Sequence, residues 1–150
     1  MCGKKDIGFE IRTLSNLIRR DVEKNIASME PKPNGRIHGW AINYFYENRE
    51  KDIFQKDFEE KFSVRRSTAS NMLKLMEKDG YIKRVSVEND ARLKKIVLTE
   101  KAIKIHNQIC KDISVREEKL RKGLTDEELE AFFRITEKIK KNMESPDCGE

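Results

Sequence analysis

The chain has 150 residues, of which 39% are charged and 37% hydrophobic. Few apolar side chains remain for a large core, which argues against a sizeable enzyme and for a small, charge-covered, mostly helical protein that buries some apolar surface between subunits. The net charge is +5, and all of it lies in residues 63–98, where nine Lys or Arg face four acids; the last 26 residues are net acidic.

Ile7, Ile11, Leu14, Ile18, Val22 and Ile26 recur at spacings of three and four, the stripe of an amphipathic helix. EPKPNGR, Glu30 to Arg36, breaks it with two prolines, an Asn and a Gly. Ile37 to Asn48 follows as an aromatic helix with Trp40, Tyr44, Phe45 and Tyr46. Asp52 to Phe54 reads as a brief strand, and Gln55 to Phe62 as a short helix burying Phe58 and Phe62.

VRRSTASNML, Val64 to Leu73, opens the next helix. Ala69, Met72, Leu73 and Met76 share one face of it. Gly80 suits the left-handed position just past its end. Tyr81 to Val87 and Leu93 to Thr99 alternate as two strands, joined by a turn at Glu88 to Ala91. A long helix starts at Thr99 or Glu100 and, run to Lys122, would be roughly 35 Å long. Thr125 and Glu128 then form a capping box. Leu129, Phe132, Thr136, Ile139 and Met143 carry the last stripe. The order is that of a single mainly α chain with a small β-hairpin wing. A winged helix-turn-helix over 36–98 is flanked by apolar-striped helices over 1–35 and 99–150.

In a helix-turn-helix, the second helix enters the major groove with its N-terminal residues at the base edges. VRRSTASNML supplies what that position needs. Arg65 and Arg66 can fork onto guanine or phosphate. Ser67, Thr68 and Ser70 are small enough for close approach. Asn71 can read a base edge, and Lys74 can reach phosphate. Arg65 takes the N-cap place where Ser, Thr or Asp is usual; Ser63 could cap one turn earlier. In the hairpin, Arg92, Lys94 and Lys95 suit the neighbouring minor groove, with Asp90 placed to orient the Arg92 guanidinium.

These segments resemble the MarR family of winged-helix transcriptional regulators. The resemblance covers nearly the whole chain and rests on QKDFEEKF, RRSTASNMLKLMEKDGYIKR, NDARLKKIVLTEKA and LTDEELEAFF. Asp90-x-Arg92 followed by LTEKA is its most specific part. It implies a homodimer held by the first, fifth and sixth helices, on a pseudopalindromic double-stranded DNA operator. It also implies release by a small ligand, an oxidant or a metal. Repression is the expected mode.

The signal itself is less legible. Trp40 and Tyr44 lie where ligands of that family bind, although aromatic helix faces usually make core. His106 and Cys110 are four apart on one helix face, but two ligands do not make a zinc site, and no metal or cofactor is expected. By default they are a surface histidine and a half-buried thiol. Cys2 could act as a thiol sensor, and Cys148 less readily. No secretory signal or apolar span is visible, so a cytoplasmic protein is expected, with no membrane partner. No nucleophile–base set, P-loop or dinucleotide motif suggests catalysis. The rival reading is a winged helix whose basic face meets an acidic protein rather than DNA.

Overall fold

The computed structural model describes residues 5–28 and 38–144. The break at 30–36, Cys2 and Cys148 lie outside them. The described elements are α1 (Ile7–Ala27), α2 (Gly39–Glu47), α3 (Gln55–Phe62), α4 (Arg66–Lys78), β1 (Ile82–Val87), β2 (Asp90–Leu98), α5 (Glu100–Arg121) and α6 (Asp126–Glu144). They make a mainly α winged helix-turn-helix with a two-stranded wing.

Local chemistry sets most of the ends. Asp6 accepts the Phe9 N–H at 3.1 Å and caps α1. Asp57 Oδ2 accepts the Phe54 N–H at 2.8 Å, the acid half of a capping box at α3. Thr125 and Glu128 make the full reciprocal box, at 2.9 and 3.2 Å, as their spacing predicts. α4 closes in a Schellman motif. The Tyr81 N–H donates to the Met76 carbonyl at 2.9 Å and the Gly80 N–H to the Glu77 carbonyl at 3.0 Å. Gly80 has φ 79°, which strains any residue with a Cβ.

Two units are distinguishable, residues up to Asp112 and residues from Ile113 onward. The first holds the core. Ile42 and Phe45 of α2, Phe58 of α3, Leu73 and Met76 of α4, and Ile82 of β1 are all buried. α3 packs on α4, α4 on β1, and α2 on β2, which joins the wing to the helix-turn-helix. The start of α5 is tied to the end of α4. Thr99 Oγ1 donates to the Gly80 carbonyl at 2.6 Å and accepts the Ala102 N–H at 3.3 Å. Lys101 Nζ donates to the Asp79 carbonyl at 2.6 Å and sits 4.5 Å from the Tyr81 ring centroid. α1, also in this unit, has no buried residue. In the second unit α6 has none either, and Phe132, Phe133 and Ile135 are each just over half exposed.

Several expectations are corrected. Asp52 to Phe54 is not a strand: it contributes one ladder-like bond, from the Ile96 N–H to the Ile53 carbonyl at 2.7 Å, before α3 begins. The hairpin turn is shorter than expected, Glu88 and Asn89 only, because β2 begins at Asp90. Pairing runs regularly from Ile82↔Leu98 to Ser86↔Lys94, then jumps to Val87↔Asp90. Ala91, Arg92 and Leu93 therefore stand off the ladder as an irregular tip. Ser63 has φ 47° and is the C-cap of α3. Phe62 and Met72 are half-buried at the edge of the core. α5 stops at Arg121, one residue short of expectation. His106 is no surface residue, with 7% exposure.

Candidate nucleic-acid interface

α4 presents its amphipathic pattern outward at its N-terminal end. Ala69, Leu73 and Met76 are buried, and Arg65, Arg66, Ser67, Thr68, Asn71 and Lys74 are exposed. Ser70 is half-buried, nearer the core edge than its neighbours. Ser67, Asn71 and Lys74 follow one another at helical spacing and share a face. Arg65 is the N-cap with extended backbone, and its own side chain makes no cap hydrogen bond. The first-turn N–H groups and the positive end of the helix dipole are thus left beside two guanidinium groups, an arrangement that suits phosphate.

The wing supplies the second set. Arg92 is exposed on the irregular tip. Asp90 Oδ1 accepts the Arg92 backbone N–H at 2.9 Å, so this acid shapes the backbone of the tip rather than holding the guanidinium as expected. Lys94 and Lys95 are adjacent in a strand, so they point to opposite faces. Lys94 pairs in register with Ser86 and is exposed. Lys95 is half-buried, and its Nζ lies 3.0 Å from Asp52 Oδ1. The structure therefore separates two lysines that sequence reasoning placed together.

A cleft of about 500 Å³ lies between α3, α4 and the wing. Lys56, Arg66, Arg84, Arg92 and Lys94 line it, with Glu59 as its acid and Phe54, Leu73 and Ile96 among its apolar walls. Gln55, Lys56 and Arg84 were missed by sequence reasoning. Arg84 had a signal: it shares parity with the buried Ile82, so a strand reading turns its guanidinium inward. Glu77 of α4 receives it there. The Arg84 N–H donates to Glu77 Oε1 at 3.3 Å, and Arg84 Nε lies 3.4 Å from Glu77 Oε2. Gln55 Nε2 reaches the Arg66 carbonyl at 3.4 Å and ties α3 to the first turn of α4.

Trp40 and Tyr44 belong to an aromatic cluster on α2 and α3. Trp40 is 4.2 Å from Phe62 and 5.9 Å from Phe58 between ring centroids, and Tyr44 is 5.3 Å from Phe62. Trp40 keeps 43% of its surface exposed. Burial, with Asp57 nearby, pushes the Tyr44 phenol above its ordinary value and keeps it a neutral hydrogen-bonding group. Among the described residues, no three His, Cys, Asp or Glu side chains gather to hold a metal, and no helix is long and apolar enough to cross a membrane.

Comparison with known proteins agrees with this architecture. The MarR family model matches residues 35–93. An uncharacterised HTH-type transcriptional regulator of Bacillus subtilis, YybA, is 30% identical over 99 residues, 66% of this chain and 65% of its own length. The crystal structure of the transcription regulator MarR from Oenococcus oeni superposes with a TM-score of 0.71 at 27% identity, covering 91% of this chain and 99% of that one. The fold is also that of S. aureus MepR in its DNA complex, with a TM-score of 0.77 at 22% identity over 93% of this chain and 97% of that one. With the helix-turn-helix, the wing and the basic cleft between them, these similarities place residues 35–93 in the MarR family of winged helix-turn-helix transcriptional regulators, with the chain sharing the fold of a solved member.

Proposed function

We propose that the protein is a repressor that binds a pseudopalindromic double-stranded DNA operator as a homodimer and is released by a small ligand or another signal. One observation carries this reading: the exposed polar N-terminal face of α4 adjoins a cleft in which α3, α4 and the wing concentrate five cationic side chains. Arg65, Arg66, Ser67, Thr68, Ser70, Asn71 and Lys74 would meet the major groove and its phosphates. Arg92 and Lys94 would serve the minor groove. Lys95, engaged by Asp52, would act by holding the wing. A protein of the same fold, S. aureus MepR, has been crystallised with DNA.

The exposed apolar residues of α1 (Ile7, Ile11, Leu14) and of α6 (Phe132, Phe133) support self-association. Two copies related by a two-fold axis would place their recognition helices about 34 Å apart, one turn of DNA. A small apolar or phenolic effector would meet Trp40 and Tyr44. It would act by shifting the population of spacings between the two DNA-reading lobes.

Selection of bound duplexes from a random library, with affinity measured at two salt concentrations, tests the reading. The expected result is an enriched inverted repeat with half-sites about one helical turn apart and a steep loss of affinity with salt. Weak salt-sensitive binding with no enriched sequence from an effector-free preparation would sink it.

A further inference from the structure

The wing is held at its root and irregular at its tip. Lys95 and the Ile96 N–H are engaged by Asp52 and the Ile53 carbonyl, and Glu77 of α4 takes both the Arg84 backbone N–H and its guanidinium. Beyond Ser86↔Lys94 the ladder jumps to Val87↔Asp90, so Ala91, Arg92 and Leu93 bulge from the strand. Asp90 Oδ1 fixes this bulge from within by accepting the Arg92 N–H at 2.9 Å. Arg92 has a use there as a cation. Leu93, its neighbour, is apolar and keeps 45% of its surface exposed, on the wall of the cleft that α4 also lines. Val85 and Val97 of the wing are exposed too, but both sit on the regular ladder and neither lines the cleft. A leucine at the end of a braced hairpin, between two cations, is placed to leave water only when DNA is bound.

We propose that Leu93 is a minor-groove wedge: it enters beside Arg92, partly unstacks one base step and kinks the operator. The wedge rests on the operator reading of this chain and deepens it. The minor groove of B-DNA is about 6 Å wide, narrow for a two-stranded ribbon but open to the side chains at its tip. The two neighbours meet different surroundings there. The guanidinium is drawn to the negative potential of the groove. The isobutyl group gains nothing from phosphate, and the groove floor offers it polar base edges. The apolar surface within reach is the stacking face of a base pair. Wedges of this kind open a step and bend the duplex by about 20–90° toward the major groove, away from the inserted side chain.

A wedge carries sequence information without a hydrogen bond to any base. Opening a step costs little at the flexible pyrimidine–purine steps, TA and CA/TG, and more in stiff A-tracts. Leu93 would therefore add a preference for a flexible step at the wing site, where Arg92 senses only charge and groove width. The brace at the root serves the same end. A wedge passes its push back to whatever carries it, and Asp52, Ile53 and Glu77 tie the two strands to the segment before α3 and to α4. On the homodimer reading, each half-site carries one such kink at its outer flank.

The full chain on its selected operator tests the wedge, with dyes on the duplex ends and 2-aminopurine placed in turn at each adenine of the wing site. Wild-type binding is expected to change energy transfer between the dyes and to raise 2-aminopurine fluorescence at one step per half-site. Leu93→Ala should keep its helical circular dichroism, bind about fivefold or more weakly with an unchanged salt slope, and lose both signals. Leu93→Met, which keeps an apolar side chain of similar volume, should retain them. Replacing the opened step by AA should weaken wild-type binding about fivefold or more and leave Leu93→Ala almost unaffected. Tight, sequence-selective binding by the wild type with no bend and no fluorescence rise would overturn the wedge and leave the operator reading standing. Survival of both signals in Leu93→Ala would do the same. Failure of the wild type to select any duplex would overturn the operator reading and the wedge with it.

Discussion

Lys95 Nζ and Asp52 Oδ1 are 3.0 Å apart although 43 residues separate them in sequence. Beside them the Ile96 N–H reaches the Ile53 carbonyl at 2.7 Å. Together these two contacts strap the root of the wing to the segment before α3. Both side chains of the ion pair are partly exposed, so its direct contribution to stability is small, about 0–1 kcal/mol. Its effect is expected in DNA binding. Asp52→Asn and Lys95→Met should weaken operator affinity to similar extents and leave the salt dependence unchanged. If Lys95→Met instead lowers the salt slope by about one and Asp52→Asn does nothing, Lys95 is a phosphate contact.

Arg66 opens α4, is exposed, and lines the basic cleft. Arg66→Ala should cost about 1–3 kcal/mol on the selected operator if the side chain reads a base, and much less on unrelated duplex. Competition binding on matched and scrambled duplexes measures the difference. An equal loss on every sequence reassigns Arg66 to the backbone.

Arg92 stands on three residues that leave the strand ladder, with Asp90 holding its backbone N–H. Arg92→Ala should weaken binding and reduce the salt slope by about one, with no change in oligomeric state by light scattering. Asp90→Ala should act in the same direction through the shape of the tip. Unchanged affinity in both variants would remove the wing from the interface.

Leu73 is fully buried on the inward face of α4. Leu73→Ala should destabilise the fold by about 2–5 kcal/mol. Chemical denaturation reads this directly. A loss below about 1 kcal/mol would mean that the site collapses freely or that α4 is not packed as described.

Desolvation holds the proton affinity of His106 below that of an ordinary histidine near 6.5. On acidification the unfolded chain therefore takes up its proton first. The stabilising contribution is complete above about pH 6.5 and falls away as pH drops through the folded value below it. Thermal midpoints measured from pH 7.5 to 5 should decline more steeply for the wild type than for His106→Gln. Parallel curves would show that the imidazole is not buried neutral.

Much of this was legible because it is local. The outward face of α4 follows from helical spacing within VRRSTASNML, and the capping box of α6 from two residues three apart. The end of α4 follows from Gly80, which meets its left-handed requirement without strain. What escaped was set by partners far away in sequence or by strand parity. Lys95 and Lys94 look alike in a string of letters, and only the pleat and Asp52 tell them apart. Arg84 is one cation among nine in residues 63–98, and its partner Glu77 lies across the α4–β1 junction. His106 was misjudged because burial on α5 depends on α2, 63 residues earlier, whose Asn43 meets it.

α1 is 21 residues long and buries none of them within the chain. Most helical stability in proteins comes from packing one face rather than from propensity, and on the proposed reading that packing comes from a second copy. Its order would then be governed by mass action: diluting the protein would loosen α1 first, and thermal midpoints would climb with protein concentration. A regulator built this way would measure its own abundance, since copies too scarce to meet would lack a settled first helix.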